Sequence, residues 1–322
     1  MPMTEPAPQA SVPLGPGREF ASIARWVRQW GARAHGIGDD AAILDVPPGT
    51  RLVVSTDTTT EDGHFRRAWL APIEIGWRAA MAALSDLAAM GADPLGVLIA
   101  LGAPATWDRD IDEVLHGVGD ACAAAKVPII GGDTTRSPVL TLGITVLGSA
   151  TEPMRRDGAQ PGDWIYVTGS LGGPRAALEA WQAGKAPRAT HRARFARPVA
   201  RLNMGAWCAA NGATAAIDLS DGLVADAGHI AAASLARLVI ELATVPVLGG
   251  VLARDALASG EEYELLVTGP PGMDAAARAA RIGTLTPIGR VLAATPVESP
   301  GVVVRDGPHR VDPPAGYDHL SP

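Results

Sequence analysis

Cysteine is scarce in this 322-residue sequence: only Cys122 and Cys208 occur, far apart. Neither has a Cys or His neighbour at ligand spacing, which excludes a disulfide framework and a zinc site as organising chemistry. Two small buried thiols in a reducing cytoplasm are expected instead. Positive charge is also in short supply. The net charge is -7, which argues against a general nucleic-acid binder, since that would need a basic face to replace phosphate counterions, and no nucleic-acid partner is expected. No run approaches about 18 apolar residues without a charge, so no membrane span is expected. Residues 1–17 hold Pro2, Pro6, Pro8, Pro13 and Pro16 but lack the basic start and apolar run of a secretory signal. They read as a flexible tail.

The common nucleotide and catalytic motifs are missing too. Gly184-Lys185 is followed by Ala186 and has no upstream glycine at phosphate-loop spacing. His191-Arg192 is followed by Ala193, so there is no protein-kinase catalytic loop, and no H-E-x-x-H pair occurs. Gly169-Ser170-Leu171-Gly172-Gly173 lacks dinucleotide spacing and reads as a turn or as a ligand-contacting loop. Any use of ATP must come through a less common fold.

What is present is an ordinary globular balance, 47% hydrophobic and 19% charged. The length suits two domains of roughly 150 residues. Apolar, β-branched runs predict strands at Arg51–Thr56, Val97–Leu101, Val127–Ile130, Leu140–Leu147, Trp164–Thr168, Thr214–Leu219 and Tyr263–Thr268. Helical spacing is read over Ser22–Trp30, Glu74–Met90, Asp110–Lys126, Pro174–Ala183 and Leu223–Ser234. Pro153, Gly158, Pro161 and Gly162 break the pattern, and a boundary near residue 150 divides 18–150 from 151–322. Strands and helices mix in both halves, so the class is α/β or α+β.

The aspartates stand where function concentrates. Asp40 follows Gly36-Ile37-Gly38-Asp39; Asp57 ends a strand; Asp133 follows Gly131-Gly132; Asp218 and Asp221 follow another strand; Asp86 interrupts an apolar helix. Each alone could cap a helix or form a turn, and Asp221 before Gly222-Leu223 could do only that. Together, converging carboxylates need cations, and an oxygen-only set favours Mg²⁺, Mn²⁺ or Ca²⁺. Such a cluster would accept a polyphosphate.

These stretches resemble a known family. Gly36-Ile37-Gly38-Asp39-Asp40, Val54-Ser55-Thr56-Asp57 with Gly63-His64-Phe65, Leu84-Ser85-Asp86-Leu87-Ala88-Ala89-Met90-Gly91-Ala92, Gly131-Gly132-Asp133, Ile217-Asp218-Leu219-Ser220-Asp221-Gly222, Gly260-Glu261-Glu262-Tyr263-Glu264 and Tyr317-Asp318-His319 resemble thiamine-monophosphate kinases. That family lies within the aminoimidazole ribonucleotide synthetase-like superfamily. One departure is visible: Glu262 stands where the family usually has Asp.

The resemblance implies a two-domain α/β (α+β) fold: an N-terminal β-rich domain that pairs with its copy in a homodimer, and a C-terminal α/β domain. It implies Mg²⁺ ions, with ATP as co-substrate and thiamine monophosphate as acceptor. Asp40, Ser55, Thr56, Asp57, Asp86, Asp133, Asp218 and Asp221 would be the metal ligands, with Asp57, Asp133 and Asp218 central to catalysis. Gly132, Asp133, Arg156 and Ser220 would touch ATP. His64, Glu261 and Tyr317 would contact thiamine monophosphate. Without the resemblance, His64 reads as a half-buried histidine, Arg156 with Arg155 as a solvated pair, Tyr317 as a packing anchor and Glu261 as a surface acid. Two other readings stay open: another ATP-dependent enzyme of the superfamily, or a non-catalytic nucleotide- or Mg²⁺-binding regulator. A selenide-activating enzyme is disfavoured, because no cysteine precedes Cys122.

Overall fold

The structure is a computed structural model that describes residues 18–38 and 40–313. Its elements run α1 (Arg18–Trp30), β1 (Arg51–Thr60), α2 (Pro72–Ala89), β2 (Asp93–Ala103), α3 (Ile111–Ala124), β3 (Ile129–Arg136), β4 (Thr141–Ala150), β5 (Trp164–Thr168), α4 (Gly173–Gln182), α5 (Ala189–Ala196), α6 (Leu202–Ala210), β6 (Ala215–Asp218), α7 (Leu223–Ala233), β7 (Ala236–Glu241), α8 (Ala253–Ala256), β8 (Leu265–Gly269), α9 (Met273–Ala279), β9 (Leu285–Ala293), β10 (Gly301–Asp306) and β11 (His309–Val311). The chain forms two compact units. One comprises residues 1–83 and 94–149; the other comprises 84–93 and 150–322. The apolar end of α2 thus belongs to the second unit.

The first unit holds a four-stranded sheet in the order β1-β4-β2-β3, with β2 and β3 parallel. Alternation sets its faces: Leu142, Ile144 and Val146 of β4 are buried at every second position. Helix α1 turns Trp26 and Trp30 inward, and their indole N–H groups donate to Asp112 and to the Leu115 carbonyl at 2.7 and 3.0 Å. Helices α2 and α3 meet backbone to backbone. A Cβ at Gly76 would lie 1.8 Å from the Val114 carbonyl oxygen, and one at Gly117 would lie 1.9 Å from that of Ile73. Only glycine permits that approach.

The second unit holds a seven-stranded sheet, β11-β10-β7-β9-β5-β8-β6. The β10–β7 pair is parallel and the other pairs are antiparallel. Ile165, Val167, Ile217 and Leu266 join a core with Leu223, Ala227 and Ile230 of α7. Their strand neighbours Tyr166, Ala216, Leu265 and Val267 join a second core with Met204 and Cys208 of α6 and Met273 of α9. The sheet is therefore covered on both faces, an α/β arrangement that leaves its strand ends to carry chemistry. Burial pushes both the Cys122 and Cys208 thiols up to about 12, so neither is poised for reaction.

Candidate active site

In the first unit the carboxylates sit on and beside the sheet. Ser55 and Asp57 are half-buried on one face of β1; Thr56, between them, points to the exposed face. The Thr145 hydroxyl donates to the Thr56 hydroxyl at 3.0 Å on that opposite face. The side chain of Thr56 is thus not brought together with those of Ser55 and Asp57. Asp133 is exposed on β3, opposite Ala100 of β2. Gly132 beside it is required by packing, since a Cβ there would lie 2.0 Å from the Ile99 carbonyl oxygen. Asp40 is exposed in a bend after the segment whose His35 amide donates to the Ile129 carbonyl at 3.0 Å.

The turn that follows β1 carries His64. The Thr60 amide donates to its Nδ1 at 3.2 Å, which leaves the proton of a neutral ring on Nε2. Glu61 braces this turn by accepting from the Trp107 indole at 2.8 Å, and Phe65 packs edge-on to Trp107.

In the second unit, Asp86 is the one half-buried residue between Ala79 and Ala89 in α2. Asp218 closes β6 and is 6% exposed. The chain then turns through Leu219, Ser220, Asp221 and Gly222 into α7. A second segment, residues 257–264, is stitched to this turn. The amides of Glu261, Glu262 and Tyr263 donate to the carbonyls of Ser220, Leu219 and Leu219 at 2.7, 3.1 and 2.9 Å. Leu219 returns the bond by donating to the Glu264 carbonyl at 2.8 Å. Glu261 and Tyr263 take left-handed backbone angles, φ 62° and 52°, which non-glycine residues adopt only when their surroundings impose it. The Tyr263 hydroxyl donates to Glu261. Ser220, Asp221 and Glu261 are thereby held in one constellation.

Arg156 lies in the segment alongside β6: the Ala216 amide donates to the Arg155 carbonyl at 3.1 Å, and the Ser234 hydroxyl to the Arg156 carbonyl at 2.8 Å. The Arg155 guanidinium is committed to Asp157. The exposed Arg156 makes no ion pair among the described residues.

The segment 257–264 carries charged groups to which the sequence reading gave no role, Glu262 being marked only as a departure from the family pattern. Glu264 is 0% exposed and accepts from Arg194, Arg201 and the Thr168 hydroxyl. Burial alone would push its carboxyl up, but the two guanidinium groups hold it below the ordinary value. Glu262 accepts from the Ser259 hydroxyl at 2.6 Å and from the Gly172 amide; its other oxygen faces Arg194 at 3.5 Å without a hydrogen bond. Burial pushes Glu262 up to about 7. Asp226, in the first turn of α7, is 1% exposed, and burial with the Asp221 charge pushes it up to about 7. The signal for Asp226 was an acid inside an apolar helical run, the same that marked Asp86.

Among the described residues, one trio of potential ligands converges: Asp221, Asp226 and His229 place a ligand atom each within 4.8 Å of the others. Within the first unit, Asp40, Asp57 and Asp133 do not close to that distance. Tyr317 lies outside the described residues. The donor set on both units is oxygen-rich and sulfur-free, which fits a hard cation such as Mg²⁺.

Two family models match the chain: AIR synthase related protein, N-terminal domain, over residues 38–150, and its C-terminal domain over residues 160–299. The thiamine-monophosphate kinase of Escherichia coli K12 is 36% identical, over 94% of this chain and 98% of its own length. The solved thiamine-monophosphate kinase of Stenotrophomonas maltophilia K279a is 36% identical with a TM-score of 0.78, covering 89% of this chain and 96% of that one. The structure of AaThiL complexed with AMPPCP and TMP is 29% identical with a TM-score of 0.75, covering 94% and 97%. With both AIR synthase related domains present and such identity along nearly its whole length, this chain belongs to the thiamine-monophosphate kinase family.

Proposed function

We propose that this chain transfers the γ-phosphate of ATP directly to the phosphate of thiamine monophosphate, forming thiamine diphosphate and ADP. The observation that carries this reading is 36% identity to a thiamine-monophosphate kinase over 94% of the chain, with the Asp218–Gly222 turn and the Gly260–Glu264 segment bonded together. The acceptor is a phosphate monoester whose second pKa lies near ~6, so its oxygen is already ionised at neutral pH. No general base is required of the chain. Its task is to position two anions in line and to neutralise their charge.

Asp40, Ser55, Asp57, Asp86, Asp133, Asp218 and Asp221 would hold Mg²⁺, with Thr56 contributing through its backbone rather than its side chain. Bound there, Mg²⁺ would supply charge neutralisation on the phosphates. Gly132, Arg156 and Ser220 would orient ATP. His64 would offer its Nε2–H side, and Glu261 and Tyr317 would contact thiamine monophosphate. Residues 18–150 would be the ATP- and Mg²⁺-binding, dimer-forming domain and 151–322 the C-terminal domain. On edge strand β1, Leu52 and Val54 are 50% and 55% exposed, an apolar face that suits a second copy. The buried, unreactive thiols suit a reducing cytoplasm.

Single-turnover reaction with γ-labelled ATP tests direct transfer. Label should pass to thiamine diphosphate with none on the quenched protein. Trapped label on a histidine or serine would replace direct transfer with a phospho-enzyme route.

A further inference from the structure

The turn between β6 and α7 places three consecutive backbone amides around one point. The amides of Ser220, Asp221 and Gly222 donate to Asp226 Oδ2 at 3.1, 3.2 and 3.1 Å. Three successive N–H groups converging before a helix form an anion seat of the kind that elsewhere receives phosphate. Here the seat is filled by the chain's own carboxylate. Ordinary capping does not explain the arrangement. A capping side chain can reach back as far as the N-cap amide, here Gly222, whereas Ser220 and Asp221 precede the cap. The side chain of Asp226 therefore reaches backward out of the helix to shape the turn. It is 1% exposed, so solvent does not compete for the bonds.

We propose that Asp226 is a positioning residue for phosphoryl transfer, gathering the Ser220–Gly222 amides onto one oxygen so that the Ser220 and Asp221 side chains face the reacting phosphates. This rests on the roles proposed above for Ser220 and Asp221. It has a corollary: because Asp226 occupies the amide seat, this turn addresses phosphate through side chains and their bound cations, not through backbone N–H groups.

The test pairs two readouts on the full chain. The first is amide hydrogen exchange over Leu219–Leu223, which needs no substrate. The second is the kinetic split with ATP, Mg²⁺ and thiamine monophosphate. Asp226→Ala removes the acceptor shared by three amides, so exchange in that peptide should rise ~10-fold or more while distant sheet peptides keep their protection. kcat should fall ~10-fold or more with KM for thiamine monophosphate nearly unchanged, the mark of an arrangement needed in the transition state. Asp226→Asn keeps an acceptor oxygen in place and should restore most of both.

Faster exchange with wild-type kcat in Asp226→Ala would overturn the proposal. So would an Asp226→Asn chain with intact protection but no turnover, which would make Asp226 a direct ligand. Should Asp226→Ala fail to fold, Asp226→Asn decides: kcat must track exchange, and a change in one without the other refutes positioning. A wild-type chain inert toward thiamine monophosphate would sink the proposed reaction and leave the exchange result standing by itself.

Discussion

Replacing Glu264 by Gln keeps the shape of a wholly buried side chain, deletes its charge and turns one acceptor oxygen into a donor that faces donors. Arg194 and Arg201 both donate to this carboxylate, and the side chains of the two arginines are 20% and 31% exposed. The substitution strands two partly buried guanidinium groups without opening a cavity. Breaking a buried pair in this way costs about 3–5 kcal/mol, a large share of a typical stability of about 5–15 kcal/mol. The expected result is a lower urea midpoint at an unchanged slope, the midpoint shift multiplied by that slope giving the cost. Arg155→Ala serves as the control. It breaks the solvent-exposed pair with Asp157, the two side chains 71% and 45% exposed, and should cost far less. The pH dependence supplies a second reading. Glu264 is held below the unfolded value of 4.5, so its contribution is present above that value and is lost as pH falls through the folded one. Acidification should therefore weaken the native chain more than the Glu264→Gln chain. A Glu264→Gln cost no larger than that of Arg155→Ala would refute the reasoning.

Glu262 behaves with the opposite sign. Its carboxyl is raised from 4.5 to about 7, so the folded chain holds the extra proton between those values, and this contribution fades as pH rises through 7. Stability of Glu262→Gln should fall less than that of the native chain between pH 5 and about 8, read by thermal melts across that range. Gly132→Ala would drive a Cβ into the Ile99 carbonyl and should cost about 1–3 kcal/mol in a denaturant titration, apart from any effect on ATP. Asp57→Asn or Asp133→Asn should leave the melting temperature near native and lower kcat by about 100-fold or more, the loss expected when charge stabilisation is removed from phosphoryl transfer. Normal steady-state rates in either purified variant would reject their assignment as metal ligands.

Much of the fold was legible because its strands are short apolar runs bounded by glycine and proline. The expected run Leu140–Leu147 appears as Thr141–Ala150, and Thr214–Leu219 as Ala215–Asp218. Strand β9 was illegible for a physical reason. Pro287 and Gly289 punctuate it, and a central strand does not ordinarily carry them. The structure accommodates both with a register shift: Ile165 pairs with Gly289 and Tyr166 with Pro287, so Ile288 is skipped. Gly289 also lies so close to β7 that a Cβ would stand 2.0 Å from the Val239 carbonyl oxygen. Strand β7, Ala236–Glu241, follows α7 almost without a break, and its inward Arg237 disguises a run that is otherwise buried to Ile240.

The candidate acids were legible as a proposal, a set mostly at strand ends whose members could each also cap a helix or form a turn. The supports were not. Glu262 and Glu264 stand beside Glu261 with nothing in the sequence to mark them as buried; the pairing of β8 with β5 buries them against Thr168 and the Gly172 amide. Their partners Arg194 and Arg201 come from α5, a short helix rich in arginine, and from the start of α6, short and apolar nearly throughout, so neither shows a clear two-faced helical pattern. Asp226 carries the same signal as Asp86, an acid inside an apolar helical run, but its role was hidden because its partners are backbone amides, which sequence does not display.

Product formation from ATP, Mg²⁺ and thiamine monophosphate tests the central claim most directly, with unphosphorylated thiamine as the control acceptor. Chromatography should show thiamine diphosphate rising one for one with ADP, and nothing from thiamine. ADP release without thiamine diphosphate, or equal turnover of thiamine, would contradict the account.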